Sequence, residues 1–181
     1  KVILDPVKGI ENCTVVTAMS RNGTNFGIKV SGLGETWFEA PVEMPVGLYF
    51  PGYSEKDANP DIGDSTIVET FGVGGFAMGS APAVVRFVGA ESVQAAMDYT
   101  TSMGEITVGK SPHYIIPTMD FEGVPTGIDI RSVVELNLAP VINTGMASKE
   151  PGVGQVGAGI VKAPMDCFIK AVEAFAEIYE P

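Results

Sequence analysis

Short apolar runs cut by glycine and proline, with no regular strand-helix alternation, constrain this fold more than any other feature. Residues 2–4, 13–19, 26–31, 36–40 and 46–50 form runs rich in β-branched and aromatic residues, which predicts a β-rich first third ending near Tyr53. A polar loop at 55–64 then leads to a helix starting near Thr66, with Asp64 or Ser65 as its cap. Residues 67–88 are almost wholly apolar or glycine, and two short buried helices fit them. A helix is predicted at 91–103, with Val93, Ala96, Met97, Thr100 and Met103 on one face. Residues 113–117 read as a strand, 120–126 as a turn-rich stretch, and 131–136 as a short helix capped by Asp129. A short strand at 140–143 and a β-like run at 158–162 follow. The last element is the clearest: Pro164 suits a first helical position, and Met165, Phe168, Ile169, Val172, Phe175, Ala176 and Tyr179 form an apolar stripe. Strands first and helices interspersed later predict an α+β fold, a mixed sheet with short helices and an amphipathic C-terminal helix, as one lobe over residues 1–181.

Charge narrows the function classes. Against 22 acidic residues stand 11 basic ones, a net charge of −11, and no basic cluster occurs. Nucleic acid and anionic membrane surfaces are therefore not expected as partners, because both need grouped Lys and Arg. A small anionic ligand would be repelled by the net field, so local cations would have to hold it. Arg21, Lys29, Arg86, Arg131, Lys149 and Lys162 are the candidates. Cys13 and Cys167 have no metal-knuckle spacing and read as reduced core thiols. With no apolar leader and no run long enough to cross a bilayer, the expected compartment is the cytoplasm. The chain opens at Lys1, not Met, and enters a strand pattern at once, so a fragment or processed piece is expected.

Arg21 stands among small hydrogen-bonding residues between two strand patterns, and Asn22-Gly23 is a strong turn signal. The turn at 20–25 would set Arg21 beside the hydroxyls of Ser20 and Thr24 and the turn amides, a place for an oxyanion; the bland alternative is an ordinary hairpin tip. Asp57, Asn59, Asp61 and Asp64 resemble a calcium loop, but Gly63 and Glu69 are each one position out of place, and Pro60 stiffens the middle. Asx-turns and a helix cap are the simpler reading, and Asp61 or Asp64 could instead orient Arg21 or a substrate amide. Gly152-Val153-Gly154-Gln155-Val156-Gly157 matches the letters of a dinucleotide fingerprint. Its context fails, because the preceding strand closes at Asn143 and Pro164 interrupts soon after, so no cofactor is expected. A flexible glycine loop is the better reading. His113, the single histidine, rules out paired-His metal chemistry, and no metal is expected; it reads as a polar strand end or a catalytic group. Asn143-Thr144-Gly145 follows a strand, where it would bind an amide or carboxylate or merely turn the chain. Trp37 and Phe38 read as core or interface anchors, and Arg86 as reaching solvent or a ligand.

Six strings together carry a resemblance across nearly the whole chain. They are Thr17-Ala-Met-Ser-Arg-Asn-Gly-Thr, Tyr49-Phe-Pro-Gly-Tyr-Ser, Asp57-Ala-Asn-Pro-Asp-Ile-Gly-Asp-Ser, Pro125-Thr-Gly-Ile-Asp-Ile-Arg, Pro140-Val-Ile-Asn-Thr-Gly and Gly152-Val-Gly-Gln-Val-Gly-Ala-Gly. In this order they resemble the YahG/YlbE-like family, whose members are longer, so the chain resembles an internal or C-terminal part. Some members are associated with oxamate carbamoyltransferase in anaerobic allantoin breakdown, beside an acyl-CoA-synthetase-like subunit and a carbamate kinase. The resemblance thus implies a transferase subunit with other subunits of one complex as partners, and an oligomer is expected. It brings no catalytic residues to carry over. The Ser-x-Arg-Thr of ordinary carbamoyltransferases does not occur, since Ser20-Arg21-Asn22-Gly23 is spaced differently.

Joined to the residue patterns, this gives a definite expectation. Arg21, Asp61 and Asp64 would be catalytic, and Ser20, Asn22, Gly23, Thr24, Asn143, Thr144, Gly154, Gln155 and Gly157 would bind oxamate or carbamoyl phosphate. The alternatives are a non-catalytic assembly module and a small-ligand-binding domain.

Overall fold

The computed structural model describes residues 2–81 and 92–179. Arg86, most of the second helix expected within 67–88, and the expected helix start at Glu91 lie outside the described residues.

The α+β expectation holds, with the strands distributed over three sheets whose pairings are all antiparallel among the described residues. Strands β1 (Val16–Asn22) and β2 (Asn25–Val30) form a hairpin, and β3 (Phe38–Pro41) and β5 (Ile62–Gly63) flank it in the order β3-β2-β1-β5. The second sheet runs β4-β9-β8, from β4 (Val46–Tyr49), β9 (Gln155–Lys162) and β8 (Val141–Ala147). The third is the ribbon of β6 (Thr107–Ile116) and β7 (Glu122–Ile128). Among the described residues the α-helices are α1 (Ser65–Glu69), α2 (Val93–Glu105), α3 (Ile130–Glu135) and α4 (Met165–Tyr179). None of the helices among the described residues is long and apolar enough to cross a membrane.

Of two apolar clusters among the described residues, the smaller holds Ala58, Met146 and Val156 against Tyr49 of β4, and the larger joins most of these elements. Val16, Met19, Phe26, Ile28 and Val30 of the hairpin pack with Met103 of α2, Ile130 and Val133 of α3, Ile142 of β8 and Phe168 and Ala171 of α4. Burial of large aliphatic and aromatic side chains at this density drives the fold at roughly 1.5–3 kcal/mol each. Cys167 lies inside this core and burial pushes its thiol up to about 12, whereas Cys13 is half-buried.

Several expectations from sequence change. Residues 2–4 are not a strand; they are turn leading into a 3-10 helix at Asp5–Val7, and Val2 is 89% exposed, because no strand among the described residues pairs with them. Residues 120–126 are mostly strand β7, which buries Val124 and Ile128 against the core. Pro125 is tolerated there because a two-stranded ribbon has an outer edge that needs no N–H donor. Asn143-Thr144-Gly145 lies within β8, which β9 extends as far as Ala147. The glycine stretch is strand from Gln155 onward. Gly159 belongs there, since a Cβ at that position would overlap the Val46 carbonyl of β4. Arg21 sits in β1, not in the turn, which shrinks to Gly23 and Thr24. Asn22 Oδ1 holds it by accepting from the amides of Thr24 (3.0 Å) and Asn25 (2.8 Å).

Candidate functional site

Strand pairing decides what Arg21 meets. β5 pairs with the outer side of β1 at Arg21↔Gly63 and Asn22↔Ile62, and so carries Asp61 and the start of α1 to the Arg21 side chain. From the other direction β8 delivers Asn143 and Thr144. Arg21 Nε lies 2.8 Å from Asp61 Oδ1, and each side chain is only 1% exposed. Arg21 Nη2 donates to Ser65 Oγ (2.9 Å) and Thr144 Oγ1 (3.1 Å). Each hydroxyl passes a proton onward: Ser65 donates to the Asn143 carbonyl (3.1 Å) and Thr144 to Asp61 Oδ1 (3.0 Å). Donors and acceptors therefore alternate, as a buried polar network requires.

Glu69, at the end of α1, extends the network. Its Oε1 accepts from the amides of Asn143 (2.8 Å) and Gly75 (3.2 Å). Gly74 makes room for it, since at φ +67° with no side chain it avoids the overlap that a Cβ would have with Oε1. Burial raises the Glu69 carboxyl to about 8, although the two amides and Arg21 favour its charged form and Asp61 disfavours it. At neutral pH Glu69 is thus mostly a neutral acid. Burial also draws the Asp61 pKa upward, against the opposing pull of Arg21 and Thr144.

Several buried polar atoms in this region have no hydrogen-bond partner among the described residues: Arg21 Nη1, Asp61 Oδ2, Thr66 Oγ1, Glu69 Oε2 and Asn143 Oδ1. Such atoms are uncommon in folded proteins, because leaving each unpaired costs about 1–3 kcal/mol. Asn143 also borders a cavity of about 470 Å³, whose other polar lining comes from Ser80, His113 and Tyr114. Val73, Gly74, Met78, Ile115 and Val124 supply apolar wall.

Of the residues expected from sequence, Arg21, Asp61, Asn143 and Thr144 come together, and Asp61 orients Arg21. The others take no part in this network. Ser20 and Asn22 alternate with Arg21 along β1, so they face the opposite side. There they line a shallow recess of about 140 Å³ that Arg21 also borders, with Asn25, Trp37 and Glu39. Gly23 and Thr24 form the hairpin tip. Asp64 is exposed at the N-cap of α1 and makes no side-chain capping bond. The Gly154 carbonyl accepts from the Ser148 amide, Gln155 Nε2 donates to the Gly157 carbonyl, and Gly157 is paired on both sides with Tyr49 and Met146. Sequence offered Ser65 as a helix cap and Glu69 as a misplaced calcium ligand, not as partners of this network, and gave no sign of the cavity. The available signal for Glu69 was one acid inside an otherwise apolar stretch, followed closely by Gly74-Gly75.

Comparison with known proteins places this geometry in context. A family model described as "Oxamate carbamoyltransferase subunit AllG" matches residues 1–65. AllG of Escherichia coli K12, an oxamate carbamoyltransferase subunit, is 54% identical over 98% of this chain and 42% of its own. Over the length it matches, this chain belongs to the AllG and YahG family. The uncharacterized protein YahG of the same bacterium is 49% identical over 99% of this chain and 38% of its own length. The chain thus spans less than half of either family member. A crystal structure of a conserved protein of unknown function from Enterococcus faecalis V583 superposes with a TM-score of 0.93 at 48% identity, covering 96% of this chain and 42% of that one. The family's fold over this segment is therefore the α+β arrangement described above.

Proposed function

We propose that this chain is part of a carbamoyltransferase-like complex and that the cavity beside Asn143 handles a small carboxylate-amide such as oxamate, or carbamoyl phosphate. Asn143 carries this reading. Its main-chain N–H and C=O are engaged by Glu69 and Ser65, while its side-chain amide borders the cavity and makes no hydrogen bond among the described residues. With Oδ1 buried, the amide nitrogen is the group this side chain has to offer, and it can donate to a ligand carbonyl or carboxylate oxygen. The description of the 54% identical AllG as an oxamate carbamoyltransferase subunit supports the same class of ligand. In this reading Arg21, Asp61, Thr144 and Ser65 are the framework that fixes Asn143, and other subunits of the complex are the partners.

Arg21→Ala would be a poor probe, because it strands the Asp61 carboxylate in the interior at a cost of about 3–5 kcal/mol. Asn143→Ala is clean, since the network uses only the Asn143 main chain. In the assembled complex of the full-length protein, Asn143→Ala is expected to lower carbamoyl transfer by about tenfold or more with an unchanged melting temperature. Unaltered turnover would reject the reading. A second reading, a non-catalytic assembly module, is favoured by strand β4, whose Val46 and Leu48 are 73% and 52% exposed.

A further inference from the structure

We infer that the outer edge of β4 is a self-association surface, to which a second copy of this chain adds its own β4 antiparallel about a two-fold axis at Leu48. This goes beyond the ligand reading above and does not depend on it.

The register of β4 fixes which groups face outward. β4 pairs with β9 at Val46↔Ile160 and Leu48↔Ala158, and beyond them the Phe50 amide donates to the Val156 carbonyl at 2.9 Å. Hydrogen-bonded and non-hydrogen-bonded positions alternate along an antiparallel pair, so Val46, Leu48 and Phe50 turn their main-chain groups to β9. Gly47 and Tyr49 therefore direct N–H and C=O to the outer edge, which meets no strand among the described residues. On one face of this edge Val46 and Leu48 are 73% and 52% exposed. An open ladder beside outward aliphatic side chains is a template for another strand.

The strand's own sequence selects the occupant. Pro45-Val46-Gly47-Leu48-Tyr49-Phe50-Pro51 carries no charge, in a chain whose net charge is −11. Two such copies repel each other as wholes, and here they can touch without setting like charges opposite one another. Rotation about Leu48 places Leu48 against itself, Gly47 against Tyr49, Val46 against Phe50 and Pro45 against Pro51. Gly47 and Tyr49, which turn their main-chain groups outward, thus meet each other and bond reciprocally. The ladder stops at both ends, since neither Pro45 nor Pro51 has an N–H to offer. Residues directly opposite project from the same face of a sheet, so the two Leu48 side chains shield each other from water. Phe50 of the second copy comes to lie against Val46, on the border of a groove of about 460 Å³ that Met44, Leu138, Ile160 and Met165 also line.

Cysteine cross-linking of the full-length protein tests this register. In the two-fold arrangement the Leu48 Cα atoms face each other at a non-hydrogen-bonded position about 4.5 Å apart, within reach of a disulfide. The two Val46 Cα atoms lie about 14 Å apart, well beyond it. After mild oxidation, Leu48→Cys is expected to give at least about tenfold more disulfide-linked homodimer than Val46→Cys or the wild type, although Val46 is the more exposed residue. Mixed Val46→Cys and Phe50→Cys proteins are expected to link to each other, because those positions oppose. Equal linking by Leu48→Cys and Val46→Cys would overturn the inference. So would Leu48→Cys that stays monomeric, whether its thiol reacts freely with a maleimide or is shielded by another part of its own chain, and so would a link formed only to a different subunit. A linked Leu48→Cys dimer beside unaltered turnover in Asn143→Ala leaves this inference standing and rejects the ligand reading; a monomeric Leu48→Cys beside lost turnover in Asn143→Ala does the reverse.

Discussion

Glu69 shows how much one buried carboxyl can impose on its surroundings. Two main-chain amides converge on its Oε1, its Oε2 has no partner among the described residues, and Gly74 has no side chain where one would collide with it. Its folded-state pKa of about 8 lies above the ordinary 4.5, so the native protein holds a proton here that the unfolded chain has released. The stabilisation is complete below the unfolded value and is lost as pH rises through about 8. Glu69→Gln keeps an oxygen for both amides and cannot ionise. Its urea midpoint is expected to decline less than that of the wild type between about pH 5 and pH 9. Equal slopes in the two proteins would show that Glu69 is not the group responsible. Of this residue's role, sequence exposed only an acid in an apolar stretch; the amides it meets come from Gly75 and from Asn143 in a distant strand.

At the scale of elements, the signals that act over one turn or one strand were legible. The apolar stripe of α4, the β1–β2 hairpin and the Asp129 cap of α3 are all observed. Asp129 accepts from the Arg131 amide at 2.9 Å and pairs with the Arg131 guanidinium at 2.9 Å. Asp129→Ala is expected to cost about 1–2 kcal/mol in urea unfolding and Asp129→Asn markedly less, since Asn also caps. Equal losses would assign the effect to the ion pair instead of the cap. β7 was not legible, because Gly123, Pro125 and Gly127 read as turn until β6 supplies the pairing. The same holds for the first half of β9, whose glycines are required by the close approach of β4.

For the whole molecule, the open question of assembly concentrates on β4, which pairs only with β9 among the described residues and exposes Val46 and Leu48. An edge strand with two outward aliphatic side chains is a natural place for another chain to add. Val46→Lys in the full-length protein is expected to leave stability within about 0.5 kcal/mol and to shift the elution of the complex toward its separate parts. An unchanged elution profile would remove β4 from the interface. By itself the sequence determined the α+β class, the amphipathic α4 and the family, because periodicity, capping and long shared strings are properties of neighbouring residues. Only the tertiary structure decided the site. Arg21 bonds Thr144 across 123 positions and Thr144 bonds Asp61 across 83, and no local pattern tells an arginine which distant carboxylate will share its burial. That choice is made by strand pairing, which brings β5, α1 and β8 together around a charge that cannot be buried unpaired.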